Sequence, residues 1–172
     1  MKTVLLTTLL IVLCNSVIAE SYIARVVSIA DGDTVTVLDA DNRQHKIRLV
    51  GIDAPEKNQP FGNVSRMHLG KLVHQRTVTV ETNKLDKYKR ELGKLILDGK
   101  DINLEQVRAG YAWHYKKYMR DQSAIDRENY AQAEDEAREN RLGLWRDENP
   151  EPPWDFRHQN RATSTATSTQ VS

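Results

Sequence analysis

The sequence predicts an α+β domain in which a five-stranded β-barrel is combined with about three helices. The first observation is a two-residue alternation of apolar and polar side chains from Tyr22 to Leu97, which is the pattern of half-buried strands. The second is a break in that alternation at residues 63–76, where apolar side chains take helical spacing. The third is a change to helical spacing after residue 102.

Five segments carry the strand pattern. The first runs from Tyr22 to Ile29. The other four are marked by apolar residues at alternate positions: Val35 and Val37, Ile47 and Leu49, Val78 and Val80, and Leu95 and Leu97. Asp31-Gly32 and Asp41-Asn42 fall between the first strands and are typical of hairpin turns. Three strands, a helix and two strands follow the order of an OB-fold, a small barrel that often binds oligonucleotides.

Three segments are predicted to be helical. In the first, residues 63–76, Leu69 and Leu72 lie on one face and Asn63 can cap the start. The second begins at Asn103 and should end at Gly110. The third spans about residues 123–140, with Tyr130, Ala133 and Ala137 facing inward and its charged residues facing solvent. Its end is expected to dock on the barrel through Leu142, Leu144 and Trp145.

The first 19 residues have the composition of an export signal. Lys2 precedes a short apolar run, and Val17-Ile18-Ala19 offers small residues for cleavage after Ala19. A membrane anchor or a lipid attachment at Cys14 is the alternative, but the run is shorter than the roughly 20 apolar residues that a spanning helix needs. We therefore expect a secreted or periplasmic protein with no membrane association after cleavage. Cleavage would remove the single cysteine, so a disulfide is not expected.

Residues 20–149 form the predicted domain, and residues 150–172 are predicted to leave it. Pro150, Pro152 and Pro153 mark this exit. The Ser/Thr-rich segment from Ala162 to Ser172 has few apolar side chains and is expected to be disordered.

The charge balance excludes a protein that grips nucleic acid by bulk positive charge. The formal net charge is +1 at pH 7, and it becomes zero if Lys2 is removed with the signal. Any attraction for nucleic acid must therefore be local. The five histidines show no zinc-ligand spacing, and no glycine-rich phosphate loop or serine nucleophile motif is present.

Two groups of carboxylates follow neighbouring strands. Asp31 and Asp33 lead into the second strand, and Asp53 and Glu56 follow the third. Each group alone is compatible with an ordinary turn or polar loop. Because the groups lie at the ends of adjacent strands, they can converge, and a hard cation such as calcium prefers such oxygen ligands.

Two arginines belong to the same region of the predicted barrel. Arg48 lies within the third strand and Arg90 opens the fifth. Either could be a solvated strand residue, but a guanidinium matches two phosphate oxygens at once. Two arginines near a metal and a carboxylate would form a phosphoryl-transfer site.

Three segments together resemble the staphylococcal nuclease family. They are Asp31-Gly-Asp-Thr-Val35, Arg48-Leu-Val-Gly-Ile-Asp-Ala-Pro-Glu56 and Asp86-Lys-Tyr-Lys-Arg90, in the order and at the spacing of that family. The resemblance extends from about Tyr22 to Trp145.

The resemblance implies an OB-fold nuclease that uses calcium to hydrolyse DNA and RNA to products with a 3′-phosphate. It implies that Asp33 and Asp53 bind calcium by their side chains and Ala54 by its carbonyl oxygen. It implies that Glu56 is the general base and that Arg48 and Arg90 contact the phosphate. The nucleotide pocket would be lined by Lys87, Tyr88 and Tyr118.

The sequence departs from the family in three places. Lys89 replaces the usual glycine before the second arginine, the segment from Lys57 to Gly62 is short, and Lys116 stands where a tyrosine is found in the staphylococcal enzyme. The alternatives are a non-catalytic OB-fold module that binds nucleic acid or protein, and a structural calcium-binding domain. A non-catalytic module would be expected to lose some of the five predicted metal-binding and catalytic side chains, and this sequence keeps all five: Asp33, Arg48, Asp53, Glu56 and Arg90. A structural calcium-binding domain would not need the arginines or Glu56. We therefore predict a nuclease, a monomer without a stable protein partner.

Overall fold

The computed structural model describes residues 20–169, so the predicted export signal at residues 1–19 lies outside the described residues. The strands are β1 Glu20–Ile29, β2 Thr34–Leu38, β3 Gln44–Leu49, β4 Ile52–Asp53, β5 Thr77–Leu85, β6 Glu91–Leu97, β7 Lys100–Asp101 and β8 Trp113–His114. The α-helices are α1 Gly62–Val73, α2 Ile102–Arg108, α3 Ala124–Glu139 and α4 Pro153–Thr169. Short 3₁₀ helices cover Lys116–Asp121 and Gly143–Arg146.

The five long strands close into a barrel, which confirms the predicted fold class. The antiparallel order β3-β2-β1-β5-β6 is closed by parallel pairing of β3 with β6. Gly93 of β6 makes this closure possible, because a Cβ there would lie 2.9 Å from Cγ2 of Ile47. Helix α1 lies between the third and fourth long strands, as predicted.

The barrel interior is filled by the alternating residues of the strands. Val26, Val35, Ile47, Val80 and Leu95 are completely buried. Burying a side chain of this size contributes about 1.5–3 kcal/mol relative to leaving it exposed. The interior is extended by Tyr130 of α3, which is also fully buried and donates a hydrogen bond of 2.8 Å to Asp101.

The helix ends follow the sequence closely in α2 and α3. Ser123 caps α3 by accepting a hydrogen bond from the backbone N–H of Asp126, and Gly110 follows α2 with a left-handed φ of +72°. The predicted cap by Asn63 is wrong. Helix α1 begins one residue earlier, after Phe61, so Asn63 lies inside its first turn.

Two side chains around α3 also differ from the prediction. Leu144 and Trp145 are buried as expected, but Leu142 is 38% exposed. Glu134 is 1% exposed although the charged residues of α3 were expected to face solvent. It lies one turn after Tyr130 on the apolar face, where it accepts hydrogen bonds from the His114 N–H (3.0 Å) and from Lys116 Nζ (2.7 Å).

Helix α4 is the largest difference from the prediction. The sequence predicts an exit at residues 150–172 and disorder from Ala162, whereas the backbone is helical from Pro153 to Thr169. Proline is compatible with the first turn of a helix because its missing N–H has no partner there. Once packing fixes the first turns, each further residue adds a hydrogen bond at low entropic cost. Residues 170–172 lie outside the described part.

Over residues 20–169, no helix combines the length and the apolar character that crossing a membrane requires.

Candidate active site

The turn between β1 and β2 presents Asp33 to the interior of the site. The backbone N–H of Asp33 donates to Oδ1 of Asp31 at 3.0 Å, which fixes the turn. Gly32 is required here because a Cβ would lie 1.8 Å from Oγ of Ser65. The Asp33 carboxylate accepts a 2.7 Å hydrogen bond from the N–H of Ala54, so the turn and the segment after β4 are joined directly.

Arg48 joins the two predicted metal ligands. Its Nη2 lies 3.0 Å from Oδ2 of Asp33 and 2.9 Å from Oδ1 of Asp53. Its Nη1 donates to the carbonyl oxygens of Leu49 and Ile52, both at 2.9 Å. These contacts hold the guanidinium in a fixed plane between the end of β3 and β4.

The carboxylates of this site are unusually well buried. Asp33 is 5% exposed and Asp53 is 1% exposed. Burial raises the pKa of Asp33 well above its usual range, the charge of Arg48 opposes that shift, and the charges of Asp31 and Asp53 add to it. Ionisation of Asp33 therefore depends on a cation beside it, a place that Arg48 takes in this structure.

Glu56 is carried by a compact loop that follows β4. Its side chain is 38% exposed, and its backbone N–H donates to Oε1 of Gln59 at 3.0 Å. Gly62 packs against this loop so closely that a Cβ would lie 1.9 Å from the carbonyl oxygen of Glu56. The short segment from Lys57 to Gly62 is thus folded tightly beneath the predicted base.

Arg90 is oriented by the turn between β5 and β6. Asp86 accepts from Nε of Arg90 at 2.8 Å and lies 2.7 Å from its Nη2. The pKa of the Asp86 carboxyl group lies below its usual range. Burial acts to raise this pKa, but the hydrogen bonds from the backbone and side chain of Arg90 and from the Tyr88 N–H together have the larger effect. Lys89, at the position where the resemblance noted in the sequence implies a glycine, takes a left-handed φ of +62°.

One open cleft of about 1010 Å³ collects these groups. Asp33, Arg48, Asp53 and Glu56 line its floor, and Arg90 faces it from the β5–β6 turn. The three predicted nucleotide-binding residues lie on its rim. Tyr88 is 63% exposed with Lys87 Nζ 5.0 Å from its ring centre, and Tyr118 is 51% exposed with its ring 5.3 Å from that of Tyr115.

Sequence reasoning missed the residues that α4 contributes to this cleft, among them Trp154 and Arg157. Trp154 stacks on Tyr115, with ring centres 5.3 Å apart and an interplanar angle of 22°. Arg157 donates to both carboxylate oxygens of Asp53 and to Oε1 of Glu56. The sequence does contain a signal for helix α4. Pro153 is compatible with a helix start, and the apolar residues Trp154 and Phe156 follow it within three positions.

The pKa of Arg157 reflects this pairing. Burial acts to lower it, but the hydrogen bonds and charges of Asp53 and Glu56 outweigh burial, so the pKa is raised and the group stays charged. In the described part of the chain, no group of three or more His, Cys, Asp or Glu side chains could hold a metal ion. The predicted set, two aspartates and the carbonyl oxygen of Ala54, is smaller than such a group.

Comparison with known proteins shows the family to which this chain belongs. A family model described as "Staphylococcal nuclease homologue" matches residues 46–147. The chain belongs to the staphylococcal nuclease family. The matched residues include Arg48, Asp53, Glu56 and Arg90, whereas Asp33 precedes the match and helix α4 follows it.

Relatives that match along most of this chain agree with this membership. An "Uncharacterized endonuclease" of Haemophilus influenzae is 40% identical over 93% of this chain and 88% of that protein. An "Uncharacterized endonuclease" of Escherichia coli O157:H7 is 43% identical over 78% of this chain and 84% of that protein. A "Probable staphylococcal-like nuclease CAN2" of Oryza sativa is 38% identical over 69% of this chain and 31% of that protein. This member of the staphylococcal nuclease family is a nuclease, a phosphodiester hydrolase.

Proposed function

We propose that this nuclease depends on calcium, hydrolyses phosphodiester bonds in both DNA and RNA, and leaves 3′-phosphate ends. The observation that carries the proposal is the meeting of Asp33, Arg48, Asp53 and Glu56 on the floor of one cleft that Arg90 also faces. A carboxylate base and two arginines that line one cleft are groups suited to phosphodiester hydrolysis.

The residues present fit calcium. Asp33 and Asp53 are buried carboxyl groups joined through one guanidinium, and burial raises the pKa of Asp33, so a cation beside them would favour their ionised form. Carboxylate and carbonyl oxygens are the ligands that calcium prefers, and Asp33, Asp53 and the carbonyl oxygen of Ala54 would hold it. When bound, calcium would offset negative charge on a phosphate oxygen.

The protein's own groups account for the proton transfer and for charge stabilisation. Glu56 accepts a proton from a water molecule, whose oxygen forms a bond to phosphorus as the bond to the 5′-oxygen breaks. The 5′-oxygen leaves with a proton taken from solvent, and the phosphate stays on the 3′ side. Arg48 and Arg90 stabilise the charge that grows on the phosphate oxygens, and their carboxylate partners hold both guanidinium groups in place beforehand.

The residues on the rim of the cleft would bind nucleotides without distinguishing one base from another. Tyr88 and Tyr118 expose ring faces on which bases can stack, and Lys87 places positive charge beside one of them. Stacking and charge act on every base, which supports a nuclease for both nucleic acids. We further propose a monomer that is exported by cleavage after Ala19, for which mass measurement of protein recovered outside the cytoplasm should show a chain starting near Glu20.

The test is digestion of single-stranded DNA and of RNA with calcium and with chelator, followed by end-group analysis. We expect cleavage of both substrates only with calcium, and products that become ligatable at the 3′ end only after phosphatase treatment. The same digestion is carried out with the variant Glu56→Gln, which lacks the proposed base. Its matched control is Glu128→Gln, at an exposed position of α3 outside the cleft. Unchanged cleavage in chelator would contradict calcium dependence, and 5′-phosphate products would contradict the direction of bond breaking.

A further inference from the structure

Arg157 occupies the acidic groups on which the proposed chemistry depends. Its Nη2 lies 2.7 Å from Oδ2 of Asp53, and its Nη1 lies 3.2 Å from Oδ1 of Asp53 and 2.7 Å from Oε1 of Glu56. One guanidinium therefore bridges a predicted metal ligand and the predicted base, across 104 and 101 positions of the sequence.

These contacts leave little room for a second cation at Asp53. Oδ1 of Asp53 also accepts from Arg48 at 2.9 Å, so both oxygens of this 1% exposed carboxylate already face guanidinium groups. A calcium ion needs its ligand oxygens at about 2.3–2.6 Å. A guanidinium at hydrogen-bond distance from the same oxygen and a divalent ion would repel each other strongly at this burial.

The start of α4 is fastened to the wall of the cleft. Trp154 stacks on Tyr115 and makes an edge contact with Trp113, at a ring distance of 5.6 Å. The preceding segment is held by a 2.7 Å hydrogen bond from Nε2 of Gln59 to the carbonyl oxygen of Glu151. Arg157 follows Trp154 by three residues and so lies on the same side of the helix.

We propose that Arg157 is a built-in competitor of the metal ion: docking of α4 places a guanidinium on Asp53 and Glu56, and metal binding displaces it. This inference rests on the proposed function. By linkage, α4 lowers the affinity for calcium by the same factor by which calcium weakens the docking of α4. Displacement also frees Glu56, so one event prepares both the metal site and the base.

The test measures calcium binding by calorimetry in Arg157→Gln, with Arg146→Gln as the matched control. Arg146 is exposed, lies outside the cleft and is absent from the ion pairs described above. We expect Arg157→Gln to bind calcium about 5- to 150-fold more tightly than the wild type, the range typical of coupled sites. Trp154→Ala, which removes the anchor and not the charge, should shift the affinity in the same direction. Circular dichroism establishes that each variant is folded.

A second measurement needs no catalysis. Amide hydrogen exchange of residues 153–161 should become faster when calcium is added to the wild type, because α4 loses its contacts with Asp53 and Glu56. Equal calcium affinity in wild type and Arg157→Gln, with unchanged exchange, would overturn the inference while leaving the proposed function intact. A lower cleavage rate for Arg157→Gln at unchanged calcium affinity would overturn it too and make Arg157 a phosphate contact. Failure of both proteins to bind calcium would overturn the inference and calcium dependence together.

Discussion

Arg48→Met tests whether the buried aspartates depend on one guanidinium. Methionine keeps a long apolar side chain but removes the two nitrogens that contact Asp33, Asp53 and the carbonyl oxygens of Leu49 and Ile52. Asp33, which is 5% exposed, would be left without an arginine, and burial, no longer opposed by the charge of Arg48, would raise its pKa still further above the usual range. Asp53, which is 1% exposed, would keep only Arg157 beside it.

The expected cost is large. Removing one partner of a buried ion pair costs about 3–5 kcal/mol, because the other charge is left uncompensated. Arg157 still contacts Asp53, which places the loss toward the lower end of that range. A typical domain has about 5–15 kcal/mol of stability in total, so the variant should be visibly weakened. Adding Asp33→Asn to Arg48→Met should recover part of the loss, because it removes the buried carboxyl group that no longer has an arginine beside it.

The assay is urea unfolding followed by circular dichroism at pH 7 without calcium. Arg146→Met, at an exposed position, is the control and should stay within about 0.5 kcal/mol of the wild type. An Arg48→Met protein as stable as that control would refute the claim that Arg48 neutralises the two aspartates.

Two further predictions concern groups outside the floor of the cleft. His45 contacts Asp39 and Glu91, and the hydrogen bond to Asp39 raises its pKa above 6.5 despite partial burial. The contribution of protonated His45 to the free energy of unfolding is therefore complete below pH 6.5. It is lost as the pH rises through the folded-state pKa, by at most about 1.4 kcal/mol per pH unit. Urea titrations at pH 6 and pH 9 should show this loss in the wild type and not in His45→Gln. Lys89→Gly should relieve a left-handed backbone conformation that costs a non-glycine residue roughly 1–2 kcal/mol, so its melting temperature should exceed that of the control Lys87→Gly. A melting temperature of Lys89→Gly below that of Lys87→Gly would show that the turn is not strained.

The fold could be predicted from the sequence because its signals are local. Alternation at Val35, Val37, Ile47 and Leu49 reports which side of each strand is buried, and strand burial repeats every two residues. The helix ends near Ser123 and Gly110 are fixed by their own capping chemistry. Such features need no knowledge of distant contacts.

The floor of the cleft could be predicted because its groups lie at the ends of neighbouring strands. Asp33 directly precedes β2 and Asp53 closes β4, and β3 between them carries Arg48. Barrel closure then brings these side chains to the same end of the sheet, as the contacts of Arg48 with Asp33 and Asp53 show.

The contacts of Glu134 and Arg157 depend on distant parts of the chain and could not be predicted in the same way. A glutamate on a highly charged helix is indistinguishable from its exposed neighbours until Lys116 and His114 are placed beside it. Arg157 contacts Asp53 from a helix whose Trp154 stacks on Tyr115, and those two aromatic residues are 39 positions apart. Three prolines and a Ser/Thr-rich composition indicate an exit, and tertiary packing overrides that local preference.

The most direct test of the catalytic account is the initial rate of Glu56→Gln on one DNA substrate at saturating calcium. Glutamine keeps the size and hydrogen-bonding shape of the side chain but cannot accept the proton of the attacking water. We expect the rate to fall on the order of 10²–10⁴-fold relative to Glu128→Gln, while calcium affinity changes much less. A near-normal rate would contradict the assignment of Glu56 as the base and would require another group of the cleft to take that role.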